Sequence, residues 1–256
     1  MSRGNNERLT VQVYGKISQG RPRLLDLFAG AGGAGEGYRL AGFEVVACDI
    51  RRQPHNPHEF YQGDALTVLD ILLDGKAWNG YRLRDFAAIH ASPPCQEYSA
   101  SRHLRDANYP HARKAQKLIA PIRERFERTG LLWIIENVVG SELPDALELC
   151  GSMFGLPIRR HRWFSCSRLL FAPGPCRHTE GFYNCVGGKV RGYGTLASGK
   201  TYHCKDGAKR RREGYYPLTV GQAAMGIDWM NKDELSQAIP PAYTRSIGEQ
   251  LLAGLP

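Results

Sequence analysis

The chain has 256 residues, 42% of them hydrophobic, which suffices for one sizeable α/β core with a small appendage. Its net charge of +9 is uneven, because residues 159–212 carry 13 Lys and Arg against 2 Asp and Glu. This excess favours a polyanionic partner such as nucleic acid, with a solvated basic loop as the alternative. Seven Cys without framework spacing, and no long apolar span, predict a cytoplasmic protein with free thiols and argue against a membrane partner.

The first strongly patterned stretch is a strand, a glycine-rich turn and a helix. Residues 1–21 are polar and predict a flexible N-terminal tail, or a short strand around residues 11–14. A buried strand over 23–28 runs into the glycine-rich residues 29–37, and the following helix ends at Gly42. Glycines let the backbone approach a ligand closely, and the helix N-terminus offers free N–H groups. The stretch also satisfies G-x-G-x-x-G, so a nicotinamide dehydrogenase is one alternative at this point.

Two acidic residues follow at positions suited to ligand contact. The second strand, 44–49, ends in Asp49, which predicts a hydrogen-bond acceptor for ribose hydroxyls, or else a turn or cap residue. Asp64 lies where a short strand turns into a helix. It is expected to cap that helix, to accept from an adenine amino group, or to do both.

The most informative stretch is S-P-P-C-Q at residues 92–96, directly after a buried strand over 86–91. A stiff Pro-Pro turn at the carboxyl end of a strand presents Cys95 where open α/β sheets bind ligands. The alternative is a structural cysteine in a tight turn. A further buried strand, 131–135, ends in Glu136 and therefore places a carboxylate near the thiol.

Two arginines lie on one face of the extended stretch 157–165, because Arg160 and Arg162 are two residues apart. Same-face guanidiniums require an anionic or carbonyl-bearing partner. The remaining predicted elements are a mobile loop over 99–111, a helix over 112–128, a helix end over 147–153, a helix over 219–225, a turn over 239–243 and a helix over 244–252.

The ordered set F-A-G-x-G-G, an acid after the second strand, P-P-C-Q, E-N-V and R-x-R resembles the DNA cytosine-5 methyltransferases. The resemblance covers residues 22–165 and 217–252, and its P-P-C-Q turn removes the dehydrogenase alternative. It implies an α/β, Rossmann-like methyltransferase fold with a mostly parallel sheet. The implied domains are a catalytic domain over 22–166 and 217–256 and a small basic target-recognition lobe over 167–216.

The resemblance also implies a role for each residue of the catalytic set. Cys95 would add to C6 of a cytosine flipped out of double-stranded DNA, so that C5 can accept a methyl group from S-adenosylmethionine. Glu136 would hold the N3 edge of the base. Arg162 would contact O2 with Arg160 in support, and Asn137 would hold the Pro-Cys loop.

Further residues are assigned to the cofactor and to DNA by the same resemblance. The cofactor pocket would comprise Phe28, Gly30 and Gly33, Asp49 for the ribose, Ile50 and Asp64 for the adenine, and Pro94 on the cytosine side. The expected DNA contacts are Gln96, Ser99, Arg102, Lys209, Arg210, Arg211 and Arg212. The alternatives are a tRNA cytosine-5 methyltransferase, since tRNA-methylating relatives share the same core, and a non-catalytic DNA-binding relative.

The small lobe is also rich in potential metal ligands: Cys176, His178, Cys185, His203 and Cys204. Their spacing matches no standard zinc pattern, so we assign no metal ligand, although a lobe with so few apolar residues is a candidate for a structural zinc. We expect a monomer, and the sequence leaves a companion restriction enzyme open.

Overall fold

The computed structural model describes residues 20–98, 116–178 and 218–255, and the backbone of two short strands between the last two ranges. The predicted N-terminal tail and the predicted loop over 99–111 therefore lie outside the described residues, as does most of the small basic lobe.

Within the described residues, one large sheet organises the chain. Its strands are β1 (Arg23–Leu27), β2 (Glu44–Asp49), β3 (Glu59–Gln62), β4 (Ala88–Ala91), β5 (Leu132–Asn137), β6 (Leu147–Leu149) and β7 (Arg162–Cys166). They lie in the order β3-β2-β1-β4-β5-β7-β6, and the first five are parallel. β7 runs antiparallel to both of its neighbours. The predicted α/β fold with a mostly parallel sheet is thus confirmed.

The helices pack against this sheet or extend from its last strand. They are α1 (Gly33–Ala41), α2 (Ala65–Leu73), α3 (Ile119–Thr129), α4 (Leu218–Met225), α5 (Lys232–Gln237) and α6 (Pro241–Leu252). A separate antiparallel pair, β8 (Gly192–Thr195) and β9 (Thr201–Cys204), belongs to the basic segment. None of the helices in the described ranges combines the length and the apolar character needed to cross a bilayer.

The C-terminal helix returns to the first βα unit and completes it. A Cβ on Gly37 would lie 2.0 Å from Thr244 Oγ1, so α1 and α6 approach so closely that only glycine fits. Thr244 Oγ1 in turn donates to the Ala34 carbonyl oxygen at 2.8 Å. The end of the chain is therefore built into the same core as its beginning.

The helix end predicted over 147–153 was wrong for its first half, because Leu147–Leu149 form a strand, while Gly151–Phe154 form a short 3₁₀ helix. Leu147 and Leu149 follow the period-2 pattern of a strand, and they pair with Phe164 and Arg162 as the edge strand of the sheet. Two helix starts also differ from the prediction. α3 begins at Ile119, since residues 116–118 are not helical, and α6 begins at Pro241. Proline at N1 suits a helix start because its missing N–H needs no partner there.

The sheet determines where the chemistry lies. β1, β4 and β5 are buried along nearly their whole length and run parallel, so their carboxyl ends meet at one edge. The polar residues singled out by the sequence follow these strand ends. Open α/β sheets bind their ligands at this edge.

Candidate active site

The Pro-Pro-Cys turn is fixed by backbone contacts, and its thiol is exposed. The Ser92 amide donates to the Leu27 carbonyl oxygen at 3.2 Å, and the Tyr98 amide donates to the Cys95 carbonyl oxygen at 3.0 Å. Asn137 Nδ2 donates to the Pro93 carbonyl oxygen at 2.9 Å, which ties the turn to the end of β5. Cys95 itself is a free, solvent-exposed cysteine. The turn therefore holds this thiol at the sheet edge without covering it.

Glu136 is buried beside this turn and is paired with an arginine. Its Oε1 lies 3.1 Å from Arg162 Nε. Burial raises the pKa of Glu136, against the opposing effects of the Arg162 charge, a hydrogen bond from Ser92 and the Arg160 charge. The carboxyl group therefore keeps its proton to a higher pH than an ordinary glutamate. It can serve as a hydrogen-bond donor as well as an acceptor.

A chain of hydrogen-bonded side chains leads from Tyr38 through His90 and Ser92 to Glu136. The Tyr38 hydroxyl lies 3.0 Å from His90 Nδ1, and His90 Nε2 lies 2.9 Å from Ser92 Oγ. Burial lowers the pKa of His90 to about 3, so its ring is neutral. If Ser92 donates to Glu136, the neutral ring must donate through Nε2 and accept from Tyr38 through Nδ1. The sequence did not single out Tyr38, His90 or Ser92, although a histidine inside an apolar strand was a signal that could have been used.

The two arginines have different partners. Arg162 begins β7 and faces Glu136, which also feels the charge of Arg160. Arg160 is buried, and its Nη2 donates to the Ser236 carbonyl oxygen at 3.0 Å. The Tyr243 hydroxyl donates to the Arg160 carbonyl oxygen at 2.6 Å. The C-terminal segment thus holds the backbone from which both guanidiniums extend, a link that no local sequence pattern revealed.

The carboxyl ends of β1 and β2 form a second polar group of residues. Phe28 has a φ of 58° and Gly30 a φ of 49°, so the chain turns sharply after β1. A Cβ on Gly30 would meet no atom within 4 Å, which leaves open space beside the backbone. The Gly30 amide donates to Asp49 Oδ2 at 3.0 Å and the Arg51 amide to Oδ1 at 2.9 Å. Asp49 is therefore held in one orientation and still has lone pairs for hydroxyl donors.

Ile50 and Asp64 fit an adenosyl group in the same place. Ile50 is 60% exposed beside Asp49 and so offers an apolar surface to a ligand. Asp64 caps α2, with its Oδ1 accepting from both the amide and the hydroxyl of Thr67 at 2.9 Å. No hydrogen bond to Asp64 Oδ2 is present among the described residues, so this oxygen can accept from an exocyclic amine. The apolar Ile50 side chain and the two carboxylate acceptors, Asp49 and Asp64, therefore suit a purine nucleoside, whose ring is apolar and whose hydroxyls and amine donate hydrogen bonds.

Other predicted residues lie near the two groups. Gly33 is buried, and a Cβ there would lie 2.7 Å from the Ile239 carbonyl oxygen, so packing alone requires this glycine. Pro94 and Gln96 are exposed on either side of Cys95. Ser99, Arg102 and residues 209–212 lie outside the described residues.

Three solved structures with the same fold are distant in sequence. A DNA modification methyltransferase encoded within an E. coli prophage is 15% identical, with a TM-score of 0.53 over 91% of this chain and 99% of that one. S. pombe Dnmt2 methyltransferase is 17% identical, with a TM-score of 0.51 over 91% and 98%. Entamoeba histolytica methyltransferase EhMeth is 14% identical, with a TM-score of 0.52 over 92% and 99%. These likenesses establish the fold.

The sequence itself matches one family model. No curated protein matches the chain significantly. The family model of the C-5 cytosine-specific DNA methylases matches residues 22–141, which include the glycine-rich turn, the Pro-Pro-Cys turn and the Glu-Asn pair. Enzymes of this fold and family use S-adenosylmethionine as methyl donor. Residues 22–141 therefore match the C-5 cytosine-specific DNA methylase domain, which supports a cytosine methyltransferase.

Proposed function

We propose that the protein methylates C5 of cytosine in double-stranded DNA through a covalent bond between Cys95 Sγ and C6 of a flipped-out base. The observation that carries the proposal is the common edge at which β4 and β5 end. There Asn137 holds the Pro93 carbonyl oxygen, and Arg162 pairs with the buried Glu136. A thiol on a stiff turn, a buried carboxyl group and a guanidinium thus extend from neighbouring strands.

Cys95 supplies the nucleophile. Cytosine C5 is too weak a nucleophile to react unaided, so the Cys95 thiolate first bonds to C6 and the C5–C6 π electrons move to C5. When bound, S-adenosylmethionine supplies an electrophilic methyl group for that carbon. A base then removes the C5 proton, the C5–C6 double bond re-forms, and the thiolate leaves. The exposure of Cys95 supports this role because C6 must reach the sulfur from solvent.

Glu136 and Arg162 hold the base in the state that accepts the thiolate. Because burial raises the pKa of Glu136, its carboxyl group can donate a proton toward N3 while the S–C6 bond forms. Arg162, 3.1 Å from that carboxylate, can donate to O2 of the same ring. Arg160 is held against Ser236 and supports the local positive charge.

The residues that would hold the donor are those at the ends of β1 and β2. Asp49 would accept from the ribose hydroxyls and Asp64 Oδ2 from the adenine amine, while Ile50 covers one face of the purine. Phe28, Gly30, Gly33 and Pro94 complete the proposed pocket. The oriented Asp49 carboxylate and the exposed Ile50 support this assignment.

We infer the domain organisation from the same features. The catalytic domain would span 22–166 and 217–256, and the close packing of Gly37 on Thr244 supports its discontinuity. Residues 167–216 would form the target-recognition lobe.

DNA is the proposed substrate because the positive charge is concentrated in the basic segment 159–212. Flipping the base out of a duplex costs a few kcal/mol. Phosphate contacts from this segment would offset that cost. The proposed contacts are Gln96, Ser99, Arg102, Lys209, Arg210, Arg211 and Arg212.

The test is a methyl-transfer assay with labelled donor that offers duplex DNA and tRNA side by side. We expect label on DNA, and we expect a duplex containing 5-fluorocytosine to trap a covalent adduct at Cys95, because fluorine cannot leave as a proton does. Cys166→Ser is the matched control, since Cys166 is another free thiol of the same sheet. Label on tRNA alone would overturn the DNA assignment, and active enzyme without a trapped adduct would overturn addition at C6.

A further inference from the structure

Four potential metal ligands converge at the β6–β7 edge of the sheet, away from the Cys95 turn. They are Cys150, His161, Cys176 and His178, and one ligand atom from each lies within 4.8 Å of all the others. His178 Nε2 lies 3.2 Å from Cys150 Sγ and 3.0 Å from Cys176 Sγ. Cys176 Sγ lies 3.4 Å from His161 Nε2.

We propose that these four side chains bind a structural Zn²⁺ in a tetrahedral Cys2His2 site. Thiolate sulfur and imidazole nitrogen are the ligands of structural zinc, with Zn–S near 2.3 Å and Zn–N near 2.0 Å. A tetrahedron with these bond lengths places each sulfur about 3.6 Å from each nitrogen. The observed separations of 3.0, 3.2 and 3.4 Å are only slightly shorter.

The ligands come from three separate places in the chain. Cys150 follows β6, His161 directly precedes β7, and Cys176 and His178 lie after β7, in the segment 167–178. One neighbouring polar group contacts a proposed ligand: Ser152 Oγ lies 3.4 Å from Cys176 Sγ. Such outer groups orient metal ligands in known zinc sites.

The segment 167–178 makes few apolar contacts. Leu170 is buried and the Phe171 backbone exchanges two hydrogen bonds with the Gln250 side chain, but Leu169 is 78% exposed and Phe171 66% exposed. Regions with a small core often depend on a metal for order. A zinc ion would therefore fasten the end of this segment, at Cys176 and His178, to the sheet edge.

The site would also bear on the candidate active site, because His161 lies between Arg160 and Arg162 in the sequence. A ligated His161 would fix the backbone that directs Arg162 toward Glu136. In this role His161 is a positioning residue, and this consequence rests on the proposed function. The metal site itself rests only on the four converging ligands.

The first test measures metal in the untagged, full-length protein after zinc-supplemented expression and extensive dialysis. We expect inductively coupled plasma mass spectrometry to find one zinc ion per chain. We expect the zinc to be lost in Cys150→Ser and in His178→Asn, and retained in Cys166→Ser and Cys95→Ser. A triple variant, Cys185→Ser with His203→Asn and Cys204→Ser, should also retain it. Wild-type protein without zinc would overturn the proposal, as would loss of zinc only in the triple variant.

A second measurement reads the ligand set directly and does not depend on catalysis. Co²⁺ in a tetrahedral site with two thiolates gives intense visible and charge-transfer bands, and these should weaken in Cys150→Ser. Chelation should lower the Tm of the wild type by about 5 °C or more and leave that of Cys150→Ser unchanged. A Cys150–Cys176 disulfide found by peptide mass mapping of the freshly purified protein would overturn the site. Cys95→Ser should bind zinc yet transfer no methyl group, so failure of the proposed function and failure of the metal site are distinguishable.

Discussion

The Cys95 turn and the cluster of Cys150 and Cys176 use the same side chain in opposite surroundings. Cys95 is exposed on a turn that is held by backbone hydrogen bonds and by the Asn137 side chain, so its sulfur stays open to an incoming base. Cys150 is buried, and both clustered sulfurs lie within 3.4 Å of an imidazole nitrogen. The role of a cysteine therefore depends on its surroundings: an open position suits reaction with a substrate, and neighbouring ligands suit metal binding.

The largest effect is expected from removing the exposed thiol of Cys95. Cys95→Ala should abolish methyl transfer, by at least about a thousandfold, because it removes the proposed nucleophile that bonds to C6. Binding of duplex DNA and of the donor should survive, since the turn is held by backbone contacts rather than by the sulfur. Labelled-methyl transfer and a DNA-binding titration measure the two effects.

Cys166→Ser is the control for that substitution, because it removes a thiol from β7 without touching the turn. It should keep nearly all activity. Residual transfer by Cys95→Ala above a few per cent of wild type would mean that another nucleophile does the work.

Removing the titrating carboxyl group of Glu136 comes next in size. Glu136→Gln keeps the shape and a donor toward N3 but cannot transfer a proton, so we expect kcat to fall about a hundredfold or more. Because burial raises the pKa of Glu136, the required protonated form is lost only as pH rises through that raised value. The wild type should therefore lose activity on the alkaline side through this group, and the variant should lack that contribution. Matching alkaline limbs in the two pH profiles would contradict the assignment.

A smaller effect is expected where Asn137 holds the turn. Asn137→Asp keeps the acceptor for the Val138 amide but replaces the donor to the Pro93 carbonyl oxygen, so Cys95 loses its fixed position. We expect kcat to fall about tenfold to a hundredfold. The affinity for S-adenosylmethionine, measured by calorimetry, should stay unchanged because Asn137 is not one of the residues proposed to bind it. An equal loss of donor affinity would indicate general damage instead of a positioning role.

Much of the site around Cys95 and Glu136 could be predicted from the sequence. Little of the cluster of four potential metal ligands could be. The Cys95 site consists of short local signals, such as the Pro-Pro-Cys turn and Glu136, at the ends of buried strands whose parallel arrangement brings them together. The partners of the cluster are set by tertiary structure. Leu147 and Leu149 resembled a helix end, and only their pairing with β7 brings Cys150 next to His161. The same holds for Arg160, whose partners Ser236 and Tyr243 come from the far end of the chain.

Asp26 is a third case, a buried carboxyl group without a charged partner among the described residues. Burial and the nearby Asp49 charge raise its pKa to about 8, against the opposing effect of the Gly35 backbone N–H, which does not reach good hydrogen-bond geometry. The folded chain therefore holds a proton that the unfolded chain releases above its ordinary value of 3.8. The free energy of unfolding should fall with rising pH between these two values, by up to about 1.4 kcal/mol per pH unit, and level off above the higher one.

Asp26→Asn should remove that slope, so that the variant gains stability relative to the wild type as pH rises from about 5 to about 8. Urea unfolding of both proteins across this range measures the difference. The buried His90, whose pKa is lowered to about 3, is present in both proteins, so its acid-side effect cancels in the comparison. Parallel stability curves would mean that Asp26 is ionised in the folded chain and has found a partner. Asp26 would then resemble the partnered thiols of Cys150 and Cys176, and it would no longer be a third kind of environment beside theirs and that of the exposed Cys95.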